Sequence, residues 1–367
     1  MDYPYLLLSL EKCENNILRM IKKARENKIN LRPHFKTHQN QSIANIFRVN
    51  GINSCAVSSL KMAEYFSKDN WNDITVAFPS SPFDAEKINK LGSSINLNIL
   101  FSSFSNLKSL DGLINQNVGV YIELDFGYQR SGVNADNLRE IAVMINYVEQ
   151  NRFYSFKGFL IHSGNTYHAK SQEEVEAIHR NTLSRITKVK SFWKESYPEI
   201  TVTYGDTPSC SISNDFWGIN ELRPGNFVFY DITQANIGSC SIKDIAVALI
   251  CPVVDVYPER GEAIIKGGAI HLSKDYLQID DQTKSYGLPC SFNGKTWEDP
   301  YKGLYLKSLS QEHGIIGSKE IDQITQIKTG DLIAVLPVHS CLTVDTMGEY
   351  YLADGNRFPT MRKRQDL

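Results

Sequence analysis

The sequence predicts an α/β plus β protein: a (β/α)8 TIM-like barrel followed by a C-terminal β-rich domain. Three observations lead there. Eight strand-like segments recur through the first 230 residues, helix-length stretches separate most of them, and beyond about residue 235 helical periodicity gives way to short strands. Strands alternating with helices imply a parallel sheet. Eight such units within roughly 200–230 residues fit a closed barrel. The competitor is an open doubly wound sheet. The first strand is not followed by GxGxxG, which weakens the dinucleotide-binding version of that fold.

The strands are read at Leu31–Lys36, Asn53–Val57, Ile74–Phe78, Leu97–Phe101, Val118–Leu124, Phe156–His162, Ile200–Tyr204 and Asn226–Tyr230, most of them rich in Val, Ile, Phe and Tyr. Between the fifth and sixth, Ala135 to Gln150 carries Leu138, Ile141, Ala142, Ile145 and Val148 at helical spacing. Ser171-x-x-Glu174 opens the next helix with a capping-box pattern. The gap between the seventh and eighth strands is the least helical. The later strands are read at Ile245–Val256, Glu262–Ile265 and Leu332–Leu336, with turn residues between them.

Composition narrows the function classes. The chain has 367 residues, 42% of them hydrophobic, which supports a large core rather than a disordered or fibrous chain. Lys+Arg is 39 and Asp+Glu is 41, for a net charge of -2, without the basic footprint of a nucleic-acid binder. The expected partner is a small molecule or another protein. Seven Cys, at 13, 55, 210, 240, 251, 290 and 341, form no CxxC pair, which suits a reducing, cytoplasmic setting. The N-terminus lacks the basic start of a signal peptide. The longest apolar run, Ile245 to Val254, is half of what a membrane helix needs, about 20 residues. Arg362-Lys363-Arg364 reads as a solvated tail.

Barrel enzymes place their chemistry at the carboxyl ends of the strands, so the residues after each strand are the candidates. The first strand ends in Arg32-Pro-His34-Phe-Lys36-Thr-His38. Residues 34, 36 and 38 share one face while the chain stays extended. A lysine desolvated among cations is a Schiff-base former; a solvated loop lysine is the plain alternative. Arg130, in the Gly-flanked stretch after the fifth strand, can hydrogen-bond an anionic oxygen. The sixth strand leads into His162-Ser-Gly-Asn-Thr-Tyr167 and the seventh into Gly205-Asp206-Thr207; Arg223-Pro-Gly225-Asn226 precedes the eighth. Small residues and hydroxyls in the late loops suit a phosphate. Asp206 is unwelcome beside one and is expected to turn away. Late in the chain, His339 and Cys341 lie two apart; on a strand they point the same way and can share a metal ion. Imidazole plus thiolate suits Zn²⁺, and two protein ligands leave open positions for water or substrate.

Seven stretches then carry a resemblance: RPHFKTH (32–38), DFGYQRSGV (125–133), HSGNTY (162–167), GDTP (205–208), ELRPGNFVFYD (221–231), SLSQEHGII (308–316) and PVHSC (337–341). In this order they resemble the D-threonine aldolase/D-serine dehydratase family of pyridoxal-phosphate enzymes, relatives of alanine racemase. The resemblance implies that Lys36 carries pyridoxal phosphate through a Schiff base, that Arg130 lies near the phenolic oxygen, and that His162 and Tyr167 flank the ring. It implies a phosphate site at Gly205, Asp206 and Thr207 with Gly225 and Asn226, and a divalent metal on His339 and Cys341, Zn²⁺ or else Mn²⁺ or Mg²⁺. It places the barrel at residues 12–235 and the β domain at 1–11 plus 236–367, in a homodimer.

The implied activity is a lyase acting on 3-hydroxy D-amino acids. Within the family HxC resembles the dehydratases, so the expected reaction is β-elimination to an α-keto acid and ammonia. The alternative is retro-aldol cleavage to glycine and an aldehyde, as in a D-threonine aldolase. An amino-acid racemase and a non-catalytic cofactor carrier are the remaining readings. Asp206 stands where the family commonly has Ser, Tyr128 where Met is frequent, and Phe227 where Tyr is common. The partner of the pyridine nitrogen and the role of Glu312-His313 are left unassigned.

Overall fold

A computed structural model describes residues 2–363. Arg364, part of the expected tail, lies outside the described residues. Eight parallel strands run at β1 (Asn30–Leu31), β2 (Ser54–Val57), β3 (Asp73–Pro79), β4 (Asn96–Phe101), β5 (Val118–Asp125), β6 (Tyr154–Ile161), β7 (Thr201–Tyr204) and β8 (Glu221–Leu222). They are hydrogen-bonded in the order β1-β8-β7-β6-β5-β4-β3-β2. The remaining gap is bridged past the end of β1, where His34 pairs in parallel with Ala56, Phe35 N–H donates to Ala56 O at 2.8 Å and Ala56 N–H to Pro33 O at 3.0 Å. That bridge makes a nearly closed barrel and excludes the open sheet.

Helices cover the outside for local reasons. Helix α1 (Leu10–Glu26) starts at Ser9, whose hydroxyl accepts from Lys12 N–H, and buries Cys13, Ile17, Met20, Ile21 and Ala24 on one face. The expected capping position is also found: Ser171 opens α2 (Gln172–Trp193) by accepting from Glu174 N–H. The second sheet curls beside the barrel around β9 (Val247–Tyr257), which pairs antiparallel with β10 (Leu332–Pro337). The chain's first strand, Tyr5–Leu8, joins this late sheet rather than the barrel, antiparallel to β9 and in parallel register with Tyr351 through Leu7. No helix among the described residues is long and apolar enough to cross a membrane.

Two barrel strands differ from the sequence reading. The first is Asn30–Leu31, not Leu31–Lys36; Pro33 has no N–H to donate and the chain then tightens into a turn at 35–38. The eighth is Glu221–Leu222, and residues 226–228 form a 3-10 turn instead of a strand. The apolar run Phe227-Val-Phe229 is buried core, which mimicked a strand. Arg223 to Asn226 therefore follow the eighth strand. Arg362 and Lys363 are exposed, in keeping with the solvated-tail reading, and each carries a surface ion pair, Arg362 with Asp345 at 2.8 Å and Lys363 with Glu349.

The two-residue strands offer little ladder at the seam, and buried charge reinforces it. Arg32 Nε donates to Glu221 Oε2 at 2.8 Å, and its other nitrogens to Asp73 at 2.8 and 3.2 Å. Thr203 donates to Glu221 Oε1 and accepts from Arg223 Nε, both at 2.8 Å. Removing one partner strands the other charge in a dry interior. An Arg32→Ala variant is expected to lose about 3–5 kcal/mol of stability in denaturant titration; a loss under about 1 kcal/mol would show that the seam does not need the ion pair.

Candidate active site at the barrel mouth

The carboxyl ends of β1, β5, β6, β7 and β8 converge on one face, and each brings a predicted residue. Lys36 sits in the turn after β1. It is exposed, whereas His34, Phe35, Thr37 and His38 around it are buried. The alternation expected for 34, 36 and 38 is thus overturned by the turn, and Lys36 is not desolvated: it is the one side chain of the stretch Arg32–Asn40 left free to reach a ligand.

The loop after β8 packs onto this turn. A Cβ on Gly225 would lie 3.0 Å from His34 O and from Thr37 Oγ1, so a larger residue would push the two segments apart by a few tenths of an ångström. Gly205, after β7, is tighter still: a Cβ there would lie 2.7 Å from Arg223 O. His162, ending β6, shares a 2.5 Å hydrogen bond between Nδ1 and Gly205 O. Tyr167 Oη accepts from Thr207 N–H at 3.1 Å. Asp206 turns away as expected: its Oδ2 accepts from Ser209 N–H at 2.8 Å and from Thr166 Oγ1 at 2.9 Å, capping α3 (Thr207–Ile212). Arg130 stands half exposed over the Tyr128 ring, 3.9 Å from the buried Glu123.

The metal pair is brought to the same place by a different route. The sequence reading set His339 and Cys341 on a strand, but β10 stops at Pro337. His339 is the N-cap residue of α4 (Ser340–Met347) and Cys341 lies in its first turn. The two still meet, because the cap and the first turn converge at the helix start. Cys341 Sγ is 3.3 Å from Thr37 Oγ1, the neighbour of Lys36, and 3.6 Å from Asn226 Nδ2. Asp231, fully buried, ties the two units: its Oδ2 accepts from Asn226 Nδ2 at 2.7 Å and from Ser340 N–H at 3.1 Å.

The electrostatics follow from burial and from this crowd of cations. Burial, then the charges of Lys36 and Arg223, hold His34 well below the ordinary imidazole range. Burial, then Arg130, lowers His162 to about 3. Burial opposes charge at His339 too, but the Asp275 carboxylate and the Cys341 thiolate overcome it and raise His339 to about 11. Burial would raise the Cys341 thiol, and the facing His339, helped by Lys36 and Thr37, brings it below its usual value instead. The helix start adds to this. His339 and Cys341 thus favour each other's charged forms, against the burial that opposes both.

The residues fit both implied groups. A buried, unpartnered Thr207 Oγ1 and two close glycine approaches suit a phosphate between the last loops. An imidazole and a thiolate with a carboxylate behind the imidazole suit a borderline-soft divalent cation. No group of three or more His, Cys, Asp and Glu among the described residues is arranged for a metal, so any ion on this pair keeps open positions. Sequence reasoning missed Asp231, Asp275, Thr37 and Glu123. Three had left a signal without a role assigned: Thr37 inside RPHFKTH, and Arg223 and Asp231 inside ELRPGNFVFYD, obscured by the misplaced eighth strand. The other six cysteines are free, five of them buried.

Comparison with known proteins places the chain in a family and a fold. The family described as "Alanine racemase, N-terminal domain" matches residues 8–232, and "Putative serine dehydratase domain" matches 246–353. A D-serine dehydratase of Dictyostelium discoideum is 28% identical, across 97% of this chain and 94% of that one. A D-threo-3-hydroxyaspartate dehydratase of Delftia sp. (strain HT23) is 27% identical, across 94% and 92%. A solved cysteine-to-alanine mutant of D-threo-3-hydroxyaspartate dehydratase, in the metal-free form, superimposes with a TM-score of 0.90 at 26% identity, covering 99% of this chain and 98% of the other.

The lowered value of His162 makes a pH prediction. Its folded pKa of about 3 lies below the unfolded value of about 6.5, so protons favour the unfolded chain. Its contribution is full above pH 6.5 and is lost as pH falls towards 3. NMR titration should find His162 neutral from pH 8 down to 5. A His162→Gln variant should lose stability less steeply over the acid range; equal slopes would contradict the assignment.

Proposed function

Because the chain belongs to the alanine racemase N-terminal-domain family and carries a serine dehydratase domain match behind it, we propose that it is a pyridoxal-phosphate- and metal-dependent lyase of the D-serine dehydratase type, acting on 3-hydroxy D-amino acids. The observation that carries the reading is the 3.3 Å approach of Cys341 Sγ to Thr37, which sets an imidazole–thiolate pair beside the turn that holds Lys36.

Bound here, the cofactor would draw electrons from Cα and the metal would act as Lewis acid on the β-hydroxyl, together favouring loss of that hydroxyl. Lys36 would hold the cofactor, and its Nζ, when unbound, would accept the Cα proton as general base. Arg130 would serve the cofactor's phenolic oxygen, and His162 and Tyr167 would line the place of its ring. His162 and His34, held neutral, add no charge to compete with these cations for an anionic ligand. Gly205, Thr207, Gly225 and Asn226 form the phosphate cup, with Asp206 contributing the cap of α3 rather than an oxygen contact. His339 and Cys341 hold the metal, Zn²⁺ on the softness of the pair. The products are an α-keto acid and ammonia. The barrel unit is residues 12–235 and the metal-bearing unit 1–11 plus 236–367. The protein works as a cytosolic homodimer on a small-molecule substrate.

The test supplies D-serine and D-threonine separately to the protein loaded with pyridoxal phosphate and Zn²⁺. Keto acid with ammonia is expected; glycine with acetaldehyde would overturn the elimination reading in favour of aldol cleavage. Cys341→Ala should lose the metal and about 10²-fold or more of kcat, since the Lewis acid is worth several kcal/mol. Full activity in metal-free Cys341→Ala protein would remove the metal from the reaction.

A further inference from the structure

We propose that Asp275 is the positioning residue of the metal pair: it accepts the Nδ1 hydrogen of His339 and so presents the ring's other nitrogen, Nε2, to the ion shared with Cys341. This rests on the metal reading above and adds a residue that lies 64 positions away from the histidine it serves.

The geometry is direct. His339 Nδ1 and Asp275 Oδ2 are 2.8 Å apart. A neutral imidazole carries one hydrogen, and a nitrogen that holds it cannot bind a metal. A carboxylate on Nδ1 keeps the hydrogen there and leaves the Nε2 lone pair for the ion. Packing does not fix this ring, because the His339 side chain is 42% exposed. Without an acceptor it is free to flip or to change tautomer, and the hydrogen bond is the constraint that remains.

Asp275 is itself held at the right height by the helix that carries the pair. The segment before it packs along α4, where Thr343 Oγ1 donates to Leu272 O at 3.4 Å and Thr346 Oγ1 to His271 O at 3.2 Å. The chain then reverses at Ser273, which adopts a φ of 73°, and Ser273 Oγ accepts from Asp275 N–H at 3.2 Å. Carboxylate and imidazole thus come from two segments docked on one helix. On the far side of Cys341, Thr37 and Asn226 fill the analogous place around the sulfur.

The experiment measures the Zn²⁺ dissociation constant by chelator competition on the full chain loaded with pyridoxal phosphate, for wild type, Asp275→Ala, Asp275→Asn and Cys341→Ala. Asp275→Ala should weaken Zn²⁺ binding about 10–100-fold. Asp275→Asn, whose amide oxygen still accepts from Nδ1, should stay within a few-fold of wild type, and ¹⁵N NMR of the zinc-loaded protein should keep the hydrogen of His339 on Nδ1. Metal-free Asp275→Ala protein should melt somewhat lower, since it loses the His339 pair, but in one cooperative transition with an unchanged far-UV CD spectrum, separating positioning from loss of the fold. Wild-type affinity in Asp275→Ala, with Cys341→Ala defective, would overturn the positioning role and leave the metal site standing. Wild-type affinity in Cys341→Ala would overturn the metal reading and this inference together.

Discussion

Asp231 is the buried carboxylate on which the composite site depends. Its two oxygens are shared between the helix that follows the eighth strand, the Asn226 side chain and the start of the helix bearing Cys341. Burial raises its pKa, so the charge is tolerable only because these donors surround it. The arrangement makes the barrel and the late sheet mutually dependent at this point. Asn226, in the β8 loop, is oriented by a carboxylate that also holds the start of the helix at Ser340, and a shift of either unit leaves a buried acceptor without its donors.

The same logic runs deeper in the barrel. Its interior is not filled with aliphatic side chains alone: Arg32, Arg223, Glu221 and Glu123 are all buried there. Each such group costs solvation, and Arg32, Glu221 and Arg223 sit where the strands are only two residues long and hold their neighbours by few backbone bonds. The upper end of this network abuts the mouth, where burial first, and then the cations Lys36, Arg130 and Arg223, lower His34 and His162. An interior that stabilises the seam therefore also sets the charge of the site above it, positive from its side chains and with neutral imidazoles between them.

The thiolate end of the site obeys a separate local rule. Cys341 lies in the first turn of a helix whose cap is His339, and both the helix start and His339 favour charge on the sulfur against the burial that opposes it. A metal ligand must be deprotonated, so a proton on either side chain would compete with an ion for this pair.

What the sequence determined by itself was what local pattern encodes. Alternating apolar segments gave the barrel and the change of class near residue 235, because period-2 and period-3.6 burial are written in neighbouring residues. Lys36, Arg130, His162, Tyr167, Gly205 and Gly225 were legible because they sit in compact motifs at strand ends. The tertiary structure alone decided the rest. It ended β1 at Leu31, since the turn at 35–38 is locked by Gly225 and Ala56 from elsewhere in the chain. It moved the eighth strand to Glu221–Leu222, since Phe227 and Phe229 are apolar for core packing rather than pairing. It set His339 and Cys341 at a helix start, and it brought Thr37, Asp231 and Asp275 to them from distant segments. Thr37 and Asp231 lie inside quoted motifs, yet their roles leave no local trace, because a hydrogen bond across the fold constrains one side chain at each end and imposes no period on the residues around it.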